Sequence, residues 1–148
     1  MRHLLRRCNK VLGVFTYWML SVRLIPHIIH YLSEEENSFL KQDIEVWKKN
    51  YYFVDFNLPN ILVFIKLMNY YPEFRNLFYY RAYWQDGFFE FLCPPMKSLF
   101  IKSNYIGPGF FISHGFATII AAKEIGKNFY LHQQVTIGWK NDAQPVIG

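Results

Sequence analysis

The sequence predicts an α+β fold in which a helical lobe over residues 1–98 precedes an incomplete β-helix of about two coils over residues 99–148. Before residue 98 the apolar residues recur at helical spacing. After it, aliphatic residues recur about every six residues, a period that belongs neither to a helix nor to an isolated strand. Apolar residues make up 52% of the chain and aromatic residues 20%, which allows a packed core and excludes disorder as the main state.

Three helices are predicted between Ser33 and Gly87. Ser33 and Glu36 form a capping box that begins the first helix. Asn57-Leu58-Pro59 begins the second helix. Pro72 ends the second and begins the third, which closes at Asp86-Gly87. The apolar positions that define these helices are Phe39, Leu40, Ile44 and Trp47, then Ile61, Leu62, Ile65 and Met68, and then Phe74, Leu77, Phe78 and Trp84, with Arg81 among them.

The six-residue repeat begins after a rigid connector, Cys93-Pro94-Pro95, which marks the boundary of the lobe. Each repeated aliphatic residue is expected to point into a narrow three-sided core, and the residue after it is expected to be small because it lies at a tight corner. Three walls of six residues give coils of about 18 residues. The repeated positions are Ile106, Ile112, Ile119, Ile125, Leu131 and Ile137, and small residues follow at Gly107, Ser113, Gly126, Gly138 and, after Ile147, Gly148.

The last repeat is interrupted. Asn141 to Pro145 breaks the six-residue count and predicts a loop that leaves a corner of the coil. The chain stops at Gly148 in the middle of a repeat, which would leave a sheet edge and an open core. The sequence therefore predicts a fragment or a truncated product.

Positive charge is concentrated at the start of the chain. The net charge is +5, and residues 1–23 hold five basic residues and no acidic one, so the rest of the chain is balanced. That balance argues against a general nucleic-acid surface. These five basic residues are expected to be solvated cations at the end of a helix. The alternative is that they contact acidic lipid, RNA or a partner protein.

No targeting or membrane-spanning segment is predicted. The apolar run Val11–Val22 is shorter than the roughly 20 residues that cross a bilayer, and no small-residue cleavage site follows it. A buried or interfacial helix is expected there. Two cysteines are too few for a disulfide framework, which favours a reducing compartment and a cytoplasmic protein.

The repeat region resembles a known family. The segment Ile106–Gly115 is similar to the coil that carries the catalytic histidine in serine acetyltransferases, and Ile125–Asn128 and Leu131–Gly138 are similar to the following coil. Pro145–Gly148 resembles the restart of the repeats after the extended loop of that family. Related enzymes that acetylate sugars share these features. In the helical lobe, the segments Gln42-Asp43-Ile44 and Tyr80-Arg81-Ala82-Tyr83-Trp84 resemble the family more loosely.

The resemblance implies a left-handed parallel β-helix of hexapeptide repeats that assembles as a homotrimer, or as a hexamer through the helical lobes. Acetyl-CoA would lie in the groove between neighbouring β-helices and would give its acetyl group directly to a hydroxyl of a small acceptor. By resemblance that acceptor is L-serine, the substrate that leads to cysteine biosynthesis. The family needs no metal.

The resemblance also assigns site residues. An alcohol is a poor nucleophile at neutral pH, so a neutral imidazole is needed to take its proton, and His114 occupies that position. His132, on the next coil, is the alternative. Asp43, Ser113 and Gln144 are expected to bind the acceptor, and Gly138, Trp139 and Lys140 to bind acetyl-CoA. His27 and His30 have the spacing of a helical metal pair, but no Cys or acid completes the set, so a structural role is expected for both.

Several positions depart from the serine enzymes. The stretch Leu99–Lys102 lacks the acid that orients the histidine, and Ser113 stands in place of a carboxylate. Ala143 and Gln144 align with an Arg-His pair that holds the carboxylate of the amino acid. Because a zwitterion needs charged partners, these changes favour an uncharged acceptor such as a sugar. The alternatives are therefore a sugar or polysaccharide O-acetyltransferase, an inactive truncated form that acts through partner binding, and a membrane-surface protein that uses residues 1–23.

Overall fold

A computed structural model describes residues 22–50, 58–84 and 87–148. These residues form five helices followed by eight short strands, so the chain is α+β in the predicted order. The helices are α1 Ile25–Ser33, α2 Phe39–Asn50, α3 Asn60–Tyr70, α4 Pro72–Ala82 and α5 Phe88–Leu92. The strands are β1 Leu99–Ile101, β2 Tyr105–Ile106, β3 Phe111–Ile112, β4 Thr118–Ile120, β5 Glu124–Ile125, β6 Tyr130–Leu131, β7 Thr136–Ile137 and β8 Val146–Ile147.

The predicted capping box at Ser33 and Glu36 is wrong. Ser33 is the last residue of α1, and its hydroxyl donates a 2.8 Å hydrogen bond to the carbonyl of His30. The next helix begins at Phe39, and the hydroxyl of Ser38 accepts the backbone N–H of Lys41 at 3.4 Å. A serine hydroxyl can bond back to its own helix as readily as it can cap the following one.

Two other helix predictions need correction. The inward face of α3 consists of Val63, Phe64, Leu67 and Met68, whereas Leu62 is 40% exposed. The helix is apolar on most sides, so the sequence alone does not fix which side packs inward. The third predicted helix, α4, ends at Ala82 because Tyr83 adopts a left-handed conformation with φ 55°. Trp84 therefore lies beyond the helix, and Asp86 and Asn57 lie outside the described residues.

The strands form three parallel sheets, with orders β1-β4-β7, β2-β5-β8 and β3-β6. Each of the first five strands thus pairs with the strand three places later in the chain. Paired residues include Leu99 with Thr118, Ile120 with Ile137 and Ile125 with Ile147. Their separation along the chain varies, instead of staying at the predicted value of about 18 residues. The widest separation encloses the predicted loop at Asn141 to Pro145.

The aliphatic side chains of these strands point into the space between the sheets, with one correction to the predicted series. Ile119 is 41% exposed, and its neighbour Ile120 is fully buried. Successive strand residues face opposite sides, so a shift of one residue exchanges the inward and outward positions. Buried aliphatic residues of the strands are Leu99, Ile106, Ile112, Ile120, Ile125 and Leu131.

A column of glycines explains the small residues that follow three of the aliphatic positions. A Cβ added at Gly107 would lie 2.8 Å from the backbone carbon of Gly126 and from the backbone nitrogen of Lys127. A Cβ added at Gly126 would lie 3.1 Å from the backbone carbon of Gly148. The backbones of successive layers therefore approach too closely at this corner for a side chain.

We expect Gly107→Ala to lower the free energy of unfolding by about 2–3 kcal/mol, because the new methyl group meets backbone that cannot rotate away. Urea denaturation followed by circular dichroism measures the change. Gly138→Ala is the matched control, since its Cβ would have Thr136 Cγ2 as nearest neighbour at 3.9 Å. Equal losses in the two variants would show that the glycine column does not limit packing.

Side chains of the helical lobe bind the free edges of the first three strands. Asn76 donates to the carbonyl of Leu99 at 2.9 Å, and the indole N–H of Trp47 donates to the carbonyl of Phe110 at 2.8 Å. Arg81 donates to the carbonyl of Gly107 at 2.8 Å and also to that of Ile106. Unpaired strand edges otherwise invite association with other chains, so the lobe caps this end of the sheets.

His27 is a fully buried histidine at the junction of α1 with α4. Its Nε2 lies 2.9 Å from the hydroxyl of Tyr79, which in turn lies 2.8 Å from the carbonyl of Cys93 and donates to it. The Tyr79 oxygen can therefore accept the Nε2–H of a neutral imidazole. The pKa of His27 is lowered from 6.5 to about 4, mainly by burial, with smaller contributions from Arg23 and His30 and an opposing effect of the carbonyl of Phe89.

This lowered pKa predicts acid sensitivity. The folded state binds the proton of His27 more weakly than the unfolded state, so its contribution is complete above about pH 6.5 and is lost as the pH falls towards 4. The loss amounts to about 3 kcal/mol. His27→Phe should reduce the pH dependence of unfolding in this window, whereas His132→Phe, at an exposed position, should leave it unchanged. If the unmodified chain, His27→Phe and His132→Phe all show the same pH dependence of unfolding, His27 is not the source of the acid sensitivity.

Among the described residues, no helix combines the length and the apolar character needed to cross a bilayer. The helix predicted over Val11–Val22 lies outside the described residues except for Val22 itself.

Candidate functional site

His114 lies at the corner between β3 and β4, with its side chain exposed to solvent. Its backbone is in the left-handed region at φ 66°, and that of Gly115 follows at φ 53°. A Cβ on Gly115 would lie 3.0 Å from Ile112 Cγ2 and 3.1 Å from both Glu73 Cβ and Leu99 Cδ2. The corner is therefore packed tightly against α4 and β1 from behind. This packing fixes the backbone that carries the exposed side chain of His114.

A second histidine lies on the adjacent layer of the same corner. The N–H of Ser113 donates to the carbonyl of Leu131 at 2.7 Å, which places Ser113 beside the residues that follow β6. His132 is exposed there, and its ring lies 4.9 Å from the ring of Tyr130. Within the described part of the chain, no hydrogen bond or ion pair engages the imidazole of His114. An exposed, unengaged imidazole can accept a proton from a bound hydroxyl group.

The residues predicted to bind acetyl-CoA lie at a different corner. Gly138, Trp139 and Lys140 follow β7, and a tight turn joins Lys140 to Ala143 through hydrogen bonds of 2.9 and 3.1 Å. Gln144 donates to the carbonyl of Ala121, just after β4, at 3.4 Å. Trp139 is 65% exposed. The structure thus brings Gln144 together with the predicted cofactor residues.

The two corners lie at opposite ends of the sheet β1-β4-β7. His114 precedes β4, whereas Ala121 and the turn after β7 follow the strands of that sheet. Ser113 shares the corner of His114, and Gln144 does not. One chain therefore presents the predicted base and the predicted cofactor residues at opposite ends of the strands of one sheet.

Asp43 is fully buried and forms the centre of a clamp between the lobe and the strands. Its Oδ2 accepts from Arg81 Nε at 2.7 Å, and its Oδ1 accepts from the backbone N–H groups of Gly109 and Phe110 at 2.7 and 2.8 Å. Burial raises the pKa of the Asp43 carboxyl, while the Arg81 guanidinium and the two backbone N–H groups oppose that effect. The carboxylate bonds to its own chain in this structure and presents no surface to an acceptor.

Sequence reasoning did not identify the pairing of Asp43 with Arg81. The sequence held a signal for this pair, because Asp43 falls at helical spacing from the apolar Leu40 and Trp47, and Arg81 falls at helical spacing from Leu77 and Phe78. A charged side chain at such a position needs a partner of opposite charge. The clamp acts on the segment Gly109-Phe110, which leads directly into β3 and the corner of His114.

Two adjoining cavities, of about 490 and 220 Å³, lie between α5, the connector and β1, away from both corners. Asn76, Glu90 and Phe100 line both, and none of the predicted site residues lines either one. In residues 22–50, 58–84 and 87–148, no three His, Cys, Asp or Glu side chains are placed to hold a metal ion.

Comparisons of the chain with protein-family models, with curated proteins and with solved structures found no match.

Proposed function

We propose that the chain is an O-acetyltransferase similar to serine acetyltransferases, which moves the acetyl group of acetyl-CoA to a hydroxyl of a small acceptor. The observation that supports this most directly is His114, an exposed imidazole at a tightly packed corner of three parallel sheets.

In this proposal the three sheets are the walls of a left-handed parallel β-helix built from hexapeptide repeats. The parallel pairing of each strand with the third strand after it supports this architecture. The buried Ile106, Ile112 and Ile125 and the glycine column at Gly107 and Gly126 agree with it, since they give an aliphatic interior and one tight corner.

His114 acts as the general base. Its neutral imidazole takes the proton of the acceptor hydroxyl while the oxygen attacks the thioester carbonyl of acetyl-CoA. A carbon–oxygen bond forms, the carbon–sulfur bond breaks, and the departing CoA thiolate receives the proton. No group is oxidised or reduced in this transfer, and no metal takes part.

The complete site forms between two copies of the chain. His114 and Ser113 lie at one end of the sheet β1-β4-β7, and Gly138, Trp139 and Lys140 lie beyond the other end. In a homotrimer or a hexamer, as the resemblance implies, the corner that holds Gly138, Trp139 and Lys140 in one copy can face the corner of His114 in its neighbour. Acetyl-CoA then lies in the groove between copies, and the protein acts in the cytoplasm.

The acceptor has two candidates. The family resemblance favours L-serine, and the charges near the site favour a sugar hydroxyl. Ser113 and Gln144 are uncharged hydrogen-bonding residues, and the buried carboxylate of Asp43 is already bonded to Arg81 and to backbone N–H groups. A zwitterion needs an accessible charge of each sign, whereas a sugar needs only hydrogen bonds. A sugar O-acetyltransferase is therefore the second candidate.

The full chain can be tested for acetyl transfer directly. The chain is mixed with acetyl-CoA and with L-serine or a panel of monosaccharides, and release of the CoA thiol is followed with a thiol reagent. Calorimetry measures CoA binding in parallel. We expect acceptor-dependent thiol release and binding in the micromolar to millimolar range, about 1 μM to 1 mM. Absence of both would contradict the proposal and would favour a chain that acts only through partner binding.

A further inference from the structure

The two adjoining cavities between α5, the connector and β1 have the size of a small-molecule site. Their volumes are about 490 and 220 Å³. Small-molecule pockets usually occupy about 300–1,000 Å³ and combine a mostly apolar lining with a few polar groups. The lining of these cavities has that composition. The residues that line both are Asn76, Glu90, Pro95, Leu99 and Phe100.

Hydrogen bonds from α4 hold the connector wall of the cavities in place. The side-chain amide of Asn76 donates to the carbonyls of Met96 and Leu99 at 3.1 and 2.9 Å, and its oxygen accepts the backbone N–H of Met96 at 2.8 Å. The guanidinium of Arg75 donates to the carbonyl of Pro94. This wall is held by the protein's own bonds, so it loses little conformational freedom when a ligand binds.

The cavities carry charges of both signs that form no ion pair with another described residue. Glu90 on α5 is partly buried and lines both cavities, whereas Lys97 lines the larger one and Lys102 the smaller one. Lys102 Nζ lies 5.9 Å from the centre of the Phe100 ring. Within the part of the chain that the structure describes, the side chains of Glu90 and Lys97 also form no hydrogen bond. These two residues therefore line the larger cavity without pairing with each other.

A carboxylate and an ammonium group that share a cavity without pairing are suited to a ligand that bridges them. A purely anionic ligand would meet a like charge at Glu90, and a purely cationic ligand would meet one at Lys97. The ligand also needs an apolar part, because Phe91 and Phe100, which line the larger cavity, are 85% and 47% exposed. An α-amino acid with a large apolar side chain supplies both charges and the apolar part.

We propose that the larger cavity binds a free α-amino acid with a large apolar side chain, such as L-phenylalanine. Its ammonium group pairs with Glu90, its carboxylate pairs with Lys97, and its side chain packs against Phe91 and Phe100. The bound amino acid thereby joins α5 to the segment that leads into β1. This site is separate from the corner of His114, and the proposal does not depend on acetyl transfer.

Calorimetry with the full chain, in the absence of acetyl-CoA, tests the proposal with L-phenylalanine and three analogues. L-Phenylalaninamide lacks the carboxylate, phenylpropanoate lacks the ammonium group, and L-alanine lacks the large apolar side chain. We expect L-phenylalanine to bind with a Kd of about 10 μM to 1 mM. Each analogue should bind at least about tenfold more weakly, because it leaves one charge or the apolar surface of the cavity without a partner.

Two substitutions test which residues meet the two charges of the ligand. Glu90→Gln should weaken L-phenylalanine binding about tenfold and should not weaken phenylpropanoate, which has no ammonium group. Lys97→Gln should weaken L-phenylalanine binding about tenfold and should not weaken L-phenylalaninamide, which has no carboxylate. The matched controls, Glu124→Gln and Lys123→Gln, remove the same charges from exposed positions outside both cavities and should bind L-phenylalanine within about twofold of the unmodified chain.

Three results would overturn the proposal. The first is absence of L-phenylalanine binding at about 10 mM by a chain that circular dichroism shows to be folded. The second is equal binding of L-phenylalanine and phenylpropanoate, which would indicate a site for an apolar anion. The third is unchanged binding of L-phenylalanine by both Glu90→Gln and Lys97→Gln, which would place the ligand elsewhere. Thiol release from acetyl-CoA is measured separately, so a failure of acetyl transfer leaves these results unaffected.

Discussion

Replacing His114 by alanine is expected to lower the rate of acetyl transfer about 10²–10⁴-fold, because the acceptor hydroxyl then loses the group that takes its proton. The imidazole of His114 is exposed, so its removal leaves no cavity in the core. Thiol release from acetyl-CoA at saturating acceptor measures the effect on turnover. CoA binding by calorimetry should stay within about threefold, since a proton acceptor contributes little to ground-state binding.

Two companion variants separate chemistry from structure. His114→Asn keeps a residue type that tolerates the left-handed backbone at φ 66° and still lacks a base of suitable pKa, so it should be as inactive as the alanine variant. His132→Ala removes the exposed histidine of the adjacent layer and should retain turnover within about threefold. A large loss in His132→Ala with full activity in His114→Ala would transfer the role of base to His132.

The regular part of the fold could be predicted because its sequence signal is local. Ile106, Ile112 and Ile125 stand at repeated positions, each is buried, and the glycines after Ile106 and Ile125 meet backbone of the next layer. That Ile120, and not the predicted Ile119, points inward has a different cause. Two adjacent isoleucines fit the repeat almost equally well, and the length of the corner that contains His114 decides which one points inward.

The parts that could not be predicted depend on contacts between distant residues. Asp43 and Arg81 are 38 positions apart, and their pairing exists only because α2 and α4 pack together against the strands. The helices packed against α3 also decide which of its faces points inward. Val63 and Leu62 are both aliphatic, yet only Val63 is buried. The separation of Gly138 from His114 follows from the way the strands pair into sheets, which a linear pattern of repeats does not display.

The second large effect concerns the clamp that joins the lobe to the strands. We expect Asp43→Ala to lower the free energy of unfolding by about 3–5 kcal/mol, because the guanidinium of Arg81, at 7% side-chain exposure, loses its counter-ion inside the protein. The backbone N–H groups of Gly109 and Phe110 lose their acceptor as well. Urea denaturation measures the loss, and Glu35→Ala, which removes an exposed carboxylate, should change stability by less than about 0.5 kcal/mol.

A double-mutant cycle with Arg81→Ala measures the coupling of the pair, which should be about 1–3 kcal/mol for a contact with this geometry.

Asp43→Asn adds a further distinction, because an amide oxygen can still accept the two backbone N–H groups but carries no charge. If the clamp is the role of Asp43, this variant is destabilised by an intermediate amount and its KM for every acceptor changes alike. If Asp43 instead meets the ammonium group of serine, as the family resemblance implies, the variant keeps its stability and loses affinity for serine alone. The backbone that Asp43 holds leads into β3 and the corner of His114, so a clamp also predicts that turnover falls in Asp43→Asn even with uncharged acceptors.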